Sequence, residues 1–326
     1  MHQPLIPLRP ALRGRRGWKA AGVAVSIAIA VIAFIALAHA LKNIDVHQVL
    51  QAIWLTDRWR IALAATLVAA SYGSLTLYDL LALHAIGRRD IPYRIAALAS
   101  FTSYPIAHGL GAVLPISTAI RYRVYSVHGL GAGDVARICF LTGLTFWLGN
   151  LTALGLSMLY EPSAISLIDH LPEPINRLLA VALLLVIAGY LCWTWNDARR
   201  VGHRLWSVKL PAGRIVLLQI GIGIVDLGCA ALAMYVLIPA GLNVEIPRVI
   251  VVFIAATLLG FASHTPGGIG VFDATILIGL DNEDKEPLVA ALILFRLFYH
   301  LLPFVLALAL FGMREGWQSM QQRNTS

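Results

Sequence analysis

Six stretches of this sequence, residues 20–41, 61–86, 138–160, 178–195, 215–240 and 287–312, are apolar for long enough to cross a bilayer as helices. A helix rises 1.5 Å per residue and the hydrocarbon layer is about 30 Å thick, so a span needs about 20 such residues. The runs are continuous, whereas barrel strands alternate in polarity over about ten residues, so a β-barrel is excluded. Composition agrees: 13% of the 326 residues are charged, against about 25% in a typical soluble domain. That scarcity excludes a soluble enzyme and a disordered chain. The net charge of +8 fits basic cytoplasmic loops better than a nucleic-acid surface. Cys139, Cys192 and Cys229 have no CxxC spacing and read as small apolar residues, with no metal, cofactor or disulfide framework. The basic residues before position 20 and the Ala38-His39-Ala40 triplet imitate a signal peptide. The apolar run between them exceeds the usual 7–15 residues and fits an uncleaved first span.

Two further apolar stretches are interrupted. Residues 95–120 carry Pro105, Gly109, Gly111 and Pro115, and residues 249–280 carry Ser263-His264-Thr265-Pro266-Gly267-Gly268-Ile269-Gly270. Proline removes a backbone donor and clashes with the preceding turn, and clustered glycines weaken a helix further, so both stretches should break near their middle. Half-helices of about 15 residues reach only about 22 Å, which suggests re-entrant hairpins. The distribution of Lys and Arg favours that reading. With both stretches re-entrant and the N-terminus inside, 18 Lys and Arg fall inside and six outside; with both as full spans the division is 12 to 12.

The expected architecture is therefore an all-α polytopic membrane protein of eight hydrophobic segments, six full spans and two Pro/Gly-broken re-entrant hairpins, with both termini cytoplasmic. It divides into a basic N-terminus (1–19), one transmembrane domain (20–313) and a tail (314–326). Three full spans separate the hairpins, which inverts the second relative to the first. Paired interrupted segments in an inverted repeat point to a transporter's substrate site. Residues 43–60 read as an amphipathic helix on the outer surface.

Ionisable residues inside spans are costly, roughly 2.5–3.5 kcal/mol at the centre, and so become candidates for function. Asp226 is the clearest: its segment carries 13 Leu, Ile and Val, worth roughly −4 to −8 kcal/mol together, so insertion survives the acid without explaining it. Arg296 lies ten residues into the last span. An Asp226–Arg296 ion pair and a headgroup site in a hydrated cavity both remain open. Tyr299 and His300 follow Arg296 by one turn, placed to line the same face. Asp79 sits near the cytoplasmic third of its span, and Asp273 on the returning arm of the second hairpin. His108 and His264 flank the two hairpin turns. Ser103 and Ser117 are placed to bond carbonyls freed by the broken helix. Arg121 and Arg123, just after the first hairpin, suit a lipid phosphate or simply fix a loop inside. There is no HExxH, GxSxG, Walker A or strand-linked GxGxxG motif.

The Ser263–Asp273 string (Ser-His-Thr-Pro-Gly-Gly-Ile-Gly-Val-Phe-Asp), the Ser103-Tyr104 … Arg121-Tyr122-Arg123 segment and the Arg296-Leu-Phe-Tyr299-His300 … Pro303 run together resemble the membrane domain of the lysylphosphatidylglycerol synthase/flippase family, the multiple peptide resistance factors. The likeness extends over about residues 20–313. It implies movement of an aminoacylated or otherwise modified phospholipid between leaflets of the bacterial inner membrane. Members often carry a soluble aminoacyltransferase domain after the membrane part; this sequence stops at Ser326, so no synthase activity is expected from it. The family commonly has Glu where Asp273 stands. On this reading Arg121, Arg123, Asp226, His264, Pro266, Gly267, Gly268, Asp273, Arg296, Tyr299 and His300 form the translocation site, with Asp79, Ser103, His108, Pro115 and Ser117 in support. Two alternatives stand beside the translocase: an intramembrane enzyme on phospholipid or isoprenoid lipid, using His264, Asp273 and Arg296, and a non-catalytic partner of a separately encoded lipid-modifying or glycosyl-transfer enzyme. The partners expected are membrane phospholipid and, in the last case, that enzyme; no nucleic acid is implied.

Overall fold

The computed structural model describes residues 47, 54, 56–196, 199–203, 206–280 and 286–324. Five helices among them are long and apolar enough to cross a membrane: α1 (Arg58–Ala85), α4 (Ala132–Tyr160), α6 (Glu173–Thr194), α7 (Gly213–Leu237) and the continuous helix Glu286–Gln318. They coincide with five of the six expected spans. The sixth, residues 20–41, and most of the surface segment at 43–60 lie outside the described residues.

The two interrupted stretches break as their proline and glycine content requires. The first forms α2 (Tyr93–Gly109) and α3 (Val113–Tyr125), which pack on each other. The break falls at Leu110–Ala112, where Gly111 takes φ +71°, a conformation glycine adopts without steric cost. Pro105 does not stop α2. Pro115 lies in the first turn of α3, where a missing N–H leaves no intrahelical bond unmade. The second stretch forms α8 (Ile246–Ala262) and α9 (Val271–Gly279), also packed together. Between them the chain passes through left-handed φ at His264, Gly267, Gly268 and Gly270. A short helix, α5 (Pro162–Asp169), joins α4 to α6.

Two local features depart from the expected all-α outline. Between α6 and α7 a small antiparallel ribbon pairs β1 (Arg200–His203) with β2 (Trp206–Lys209), Val201 opposite Val208. Strands this short carry no readable periodicity. The last long helix consists of α10 (Glu286–Phe295) and α11 (Leu302–Asn324), joined by a π-helical turn at Arg296–Leu301. Pro303 has no N–H for the Tyr299 carbonyl one turn before it; the Tyr72 hydroxyl donates to that oxygen instead, at 2.8 Å. The helix then continues through the expected tail as far as Asn324.

α7 lies against α1, α4 and α8 at the centre of the molecule. It meets α4 backbone to backbone: a Cβ at Gly149 would come within 2.5 Å of the Gly223 Cα. Small residues permit such close approach in membrane helices, where packing replaces a hydrophobic driving force. Beside it, the Gln219 amide donates to Thr145 Oγ1 at 2.7 Å. At one end of the bundle Arg88 donates two 2.9 Å bonds to Asp90 and a third, at 2.8 Å, to the His128 carbonyl, clasping two loops. Hydrogen bonding from this guanidinium holds the Asp90 carboxyl below its usual range. The helix ends there close with Schellman bonds, Arg88 N–H to Leu83 O and Leu130 N–H to Tyr125 O, around Gly87 and Gly129 at positive φ.

Candidate functional site

A cavity of about 110 Å³ lies where the two interrupted helix pairs meet α1, α7 and the π turn. Its wall is aromatic, with Tyr72, Tyr104, Phe146, Phe261 and Tyr299 among its members, and the two hairpin turns reach it as Gly111 and His264. These turns touch: a Cβ at Gly111 would lie 2.7 Å from the His264 carbonyl oxygen and 3.0 Å from the Pro266 nitrogen. His108 and Phe261 approach each other across the same junction, their rings 6.3 Å apart.

The three candidate intramembrane acids have distinct environments. Asp79, fully buried, receives a bidentate pair from Arg121 (2.8–3.2 Å) and a 2.7 Å bond from the Tyr125 hydroxyl. Arg121 is itself only 2% exposed and lies 4.8 Å over the Tyr104 ring. Asp273 caps α9, accepting from the Gly270 N–H at 3.1 Å, and takes two bonds from Arg296, at 2.8 and 2.6 Å. Arg296 Nη1 also reaches the Gly267 carbonyl at 3.3 Å, which ties the π turn to the second hairpin. Asp226, 6% exposed, is held by neutral hydroxyls: Ser71 at 2.5 Å and Tyr78 at 3.2 Å. Among the described residues it has no cationic partner. It is also the one of the three acids that lines the cavity.

The Asp226–Arg296 pair considered from the sequence is thus not formed; Arg296 takes Asp273, 23 residues away, because the second hairpin folds back against the π turn. Of the expected site residues, Asp226, His108, His264, Gly267, Gly268, Tyr299 and His300 line the cavity, whereas Arg121, Arg123, Pro266, Asp273, Arg296, Asp79, Ser103, Pro115 and Ser117 do not. Arg123 pairs with Glu315 on α11 at 2.7 Å. The hydroxyls of Ser103 and Ser117 bond carbonyls three residues back in their own helices, those of Ser100 and Leu114, and neither reaches a carbonyl released by a proline. Ser71, Tyr72, Tyr78 and Tyr125 were not expected at the site. Ser71 and Tyr78 are seven residues apart, two turns along one face of α1, and that polar pair in an apolar span is the signal the sequence offers for a partner to Asp226.

No family model matches this sequence. Among curated proteins it is 30% identical over 288 residues to the inner membrane protein YbhN of Escherichia coli, covering 84% of this chain and 86% of that one. The chain belongs to the YbhN family. An uncharacterized protein of Synechocystis, slr0712, is similar along nearly its whole length, 28% identical over 306 residues, 94% of this chain and 95% of that protein. The phosphatidylglycerol lysyltransferase of Staphylococcus xylosus is 25% identical over 298 residues, which are 88% of this chain but 33% of the enzyme. The YbhN family thereby joins the membrane part of the lysyltransferases, in agreement with the resemblance drawn from the Ser263–Asp273 string. With five long apolar helices, this YbhN relative is a multi-pass membrane protein.

Proposed function

We propose that this chain is a lipid translocase of the bacterial inner membrane, and that it carries a phospholipid with a cationic, for example aminoacylated, headgroup from one leaflet to the other. One observation carries the reading: Asp226 presents a carboxylate with no counter-ion among the described residues to an aromatic-walled cavity between two interrupted helix pairs. A headgroup ammonium would supply the missing charge, and the ring faces would favour a cation further. The helix pairs α2–α3 and α8–α9 act as re-entrant hairpins of an inverted repeat entering from opposite sides, with both termini cytoplasmic, and acyl chains remain in surrounding lipid. Arg296 and Arg123, each partly exposed, are the guanidiniums available to a phosphate, whereas Arg121 is committed to Asp79 and secures α3.

The inner-membrane assignment draws on the name of the Escherichia coli relative, and the headgroup class on the name of the lysyltransferases. The test is leaflet distribution of labelled lipid in proteoliposomes holding the purified chain. Redistribution of cationic lipid that slows at least tenfold in Asp226→Asn is expected. Transport unchanged in both Asp226→Asn and Arg296→Ala would remove the site, and no redistribution by the native chain would remove the function.

A further inference from the structure

Asp226 stands apart from the other two intramembrane acids in how its charge is met. Asp79 and Asp273 each hold an arginine in a two-point ion pair, so both units are neutral as they stand. Among the described residues Asp226 accepts only from hydroxyls. From α1 it faces Ser71, Tyr72 and Tyr78; the cavity it shares adds Tyr104 and His108 from α2, Thr257 from α8 and His264 from the turn that follows. Tyr299 and His300 come from the π turn, α4 contributes only Phe146, and Cys229 lies three residues further on α7 itself. None of these carries a fixed positive charge. A bare carboxylate in such surroundings forfeits its hydration and receives two hydroxyl bonds in return, and an isolated buried charge is among the most expensive groups a protein can hold. Something positive must sit there through most of the working cycle.

When a cationic headgroup is bound, that charge is the headgroup's. When the site is empty of lipid, the smallest cation that fits without rearranging the wall is a proton. We infer that Asp226 binds a proton in the lipid-free state and exchanges it for the headgroup cation, so that lipid movement is a proton antiport with one proton per lipid. The inference rests on the translocase reading above. In the exchange the Asp226 O–H bond breaks as the headgroup ammonium arrives, the proton leaves by way of the cavity, and it is regained from the opposite side when the lipid departs. The antiport also assigns direction: lipid accumulates in the leaflet that faces the more acidic compartment.

Two measurements test this. Infrared titration of the purified chain, reconstituted in neutral lipid, should show a protonated-carboxyl C=O band that shifts in Asp226→Glu and is lost in Asp226→Asn. Its absence from the native chain overturns the inference. If Asp226→Asn fails to fold, the shift in Asp226→Glu makes the assignment alone. In proteoliposomes with the membrane potential clamped at zero, a gradient of one pH unit should drive labelled cationic lipid toward about a tenfold excess in the leaflet facing the acid side. Lipid that moves without regard to the gradient overturns the antiport and leaves the translocase standing. Lipid that never moves overturns the translocase and the antiport together, and the infrared band then reports separately whether Asp226 holds a proton.

Discussion

The guanidinium of Arg121 and the carboxylate of Asp79 meet edge to edge, with bonds of 2.8 to 3.2 Å, and both side chains are sealed from solvent. The pair links α1 to α3 and is completed by the Tyr125 hydroxyl.

Removing one partner of such a pair strands the other as an uncompensated buried charge. Arg121→Ala should therefore lower stability by roughly 3–5 kcal/mol, and replacing both partners with apolar residues should recover a substantial part of that loss. Thermal unfolding in detergent compares the two; equal losses in the single and double variants would contradict the account.

The contact between the hairpin turns makes a second prediction, with an internal control. Gly111 and Gly129 both hold positive φ, at +71° and +79°, but a Cβ at Gly111 would strike the backbone of residues 264–266 while one at Gly129 would meet nothing within 4 Å. Gly129→Ala should cost only the left-handed strain, about 1–2 kcal/mol. Gly111→Ala should cost more and slow lipid transfer as well. Equal effects of the two substitutions on stability and on transport would refute a packed junction.

Asp273 and Arg296 should be energetically coupled. Their side chains are 27% and 19% exposed, so solvent screening keeps the interaction below that of a sealed pair. A double-mutant cycle with Asp273→Asn and Arg296→Gln should return a coupling of about 1–2 kcal/mol. Unfolding midpoints of the four proteins give the value, and simple additivity would contradict the pairing.

The π turn offers a fourth test. Tyr72→Phe removes the donor to the partly buried Tyr299 carbonyl, a loss of about 1 kcal/mol. Pro303→Ala restores the backbone N–H that proline lacks. In the Pro303→Ala background, Tyr72→Phe should become markedly less costly, which the same unfolding measurements would show.

Five of the six spans are legible in the sequence because apolar run length is a local quantity, and so are the two interruptions, since Gly111, Gly267, Gly268 and Gly270 carry the positive φ that permits each turn. Partner choice is not. Asp79 and Arg121 are 42 residues apart, and Ser71 and Asp226 are 155 apart. Helical spacing says which face of a helix a residue occupies, but not which helix will lie against it. Arg296 could be read as needing an acid, yet only the fold of the second hairpin sets Asp273 and not Asp226 beside it. The Tyr72–Tyr299 bond was hidden for the same reason: Pro303 announces a missing donor, and only packing reveals what replaces it.

At Gly111 the hairpin turns approach main chain to main chain, against the His264–Pro266 peptides. A barrier built of side chains loosens whenever a rotamer flips, on a picosecond to nanosecond scale; one built of backbone yields only when whole helices shift, typically in microseconds to milliseconds. That junction is thus insensitive to the fast rotamer fluctuations of its neighbours. For the translocase proposed above, such a seam sets the pace of transfer by helix shifts, in microseconds to milliseconds, and not by side-chain motion.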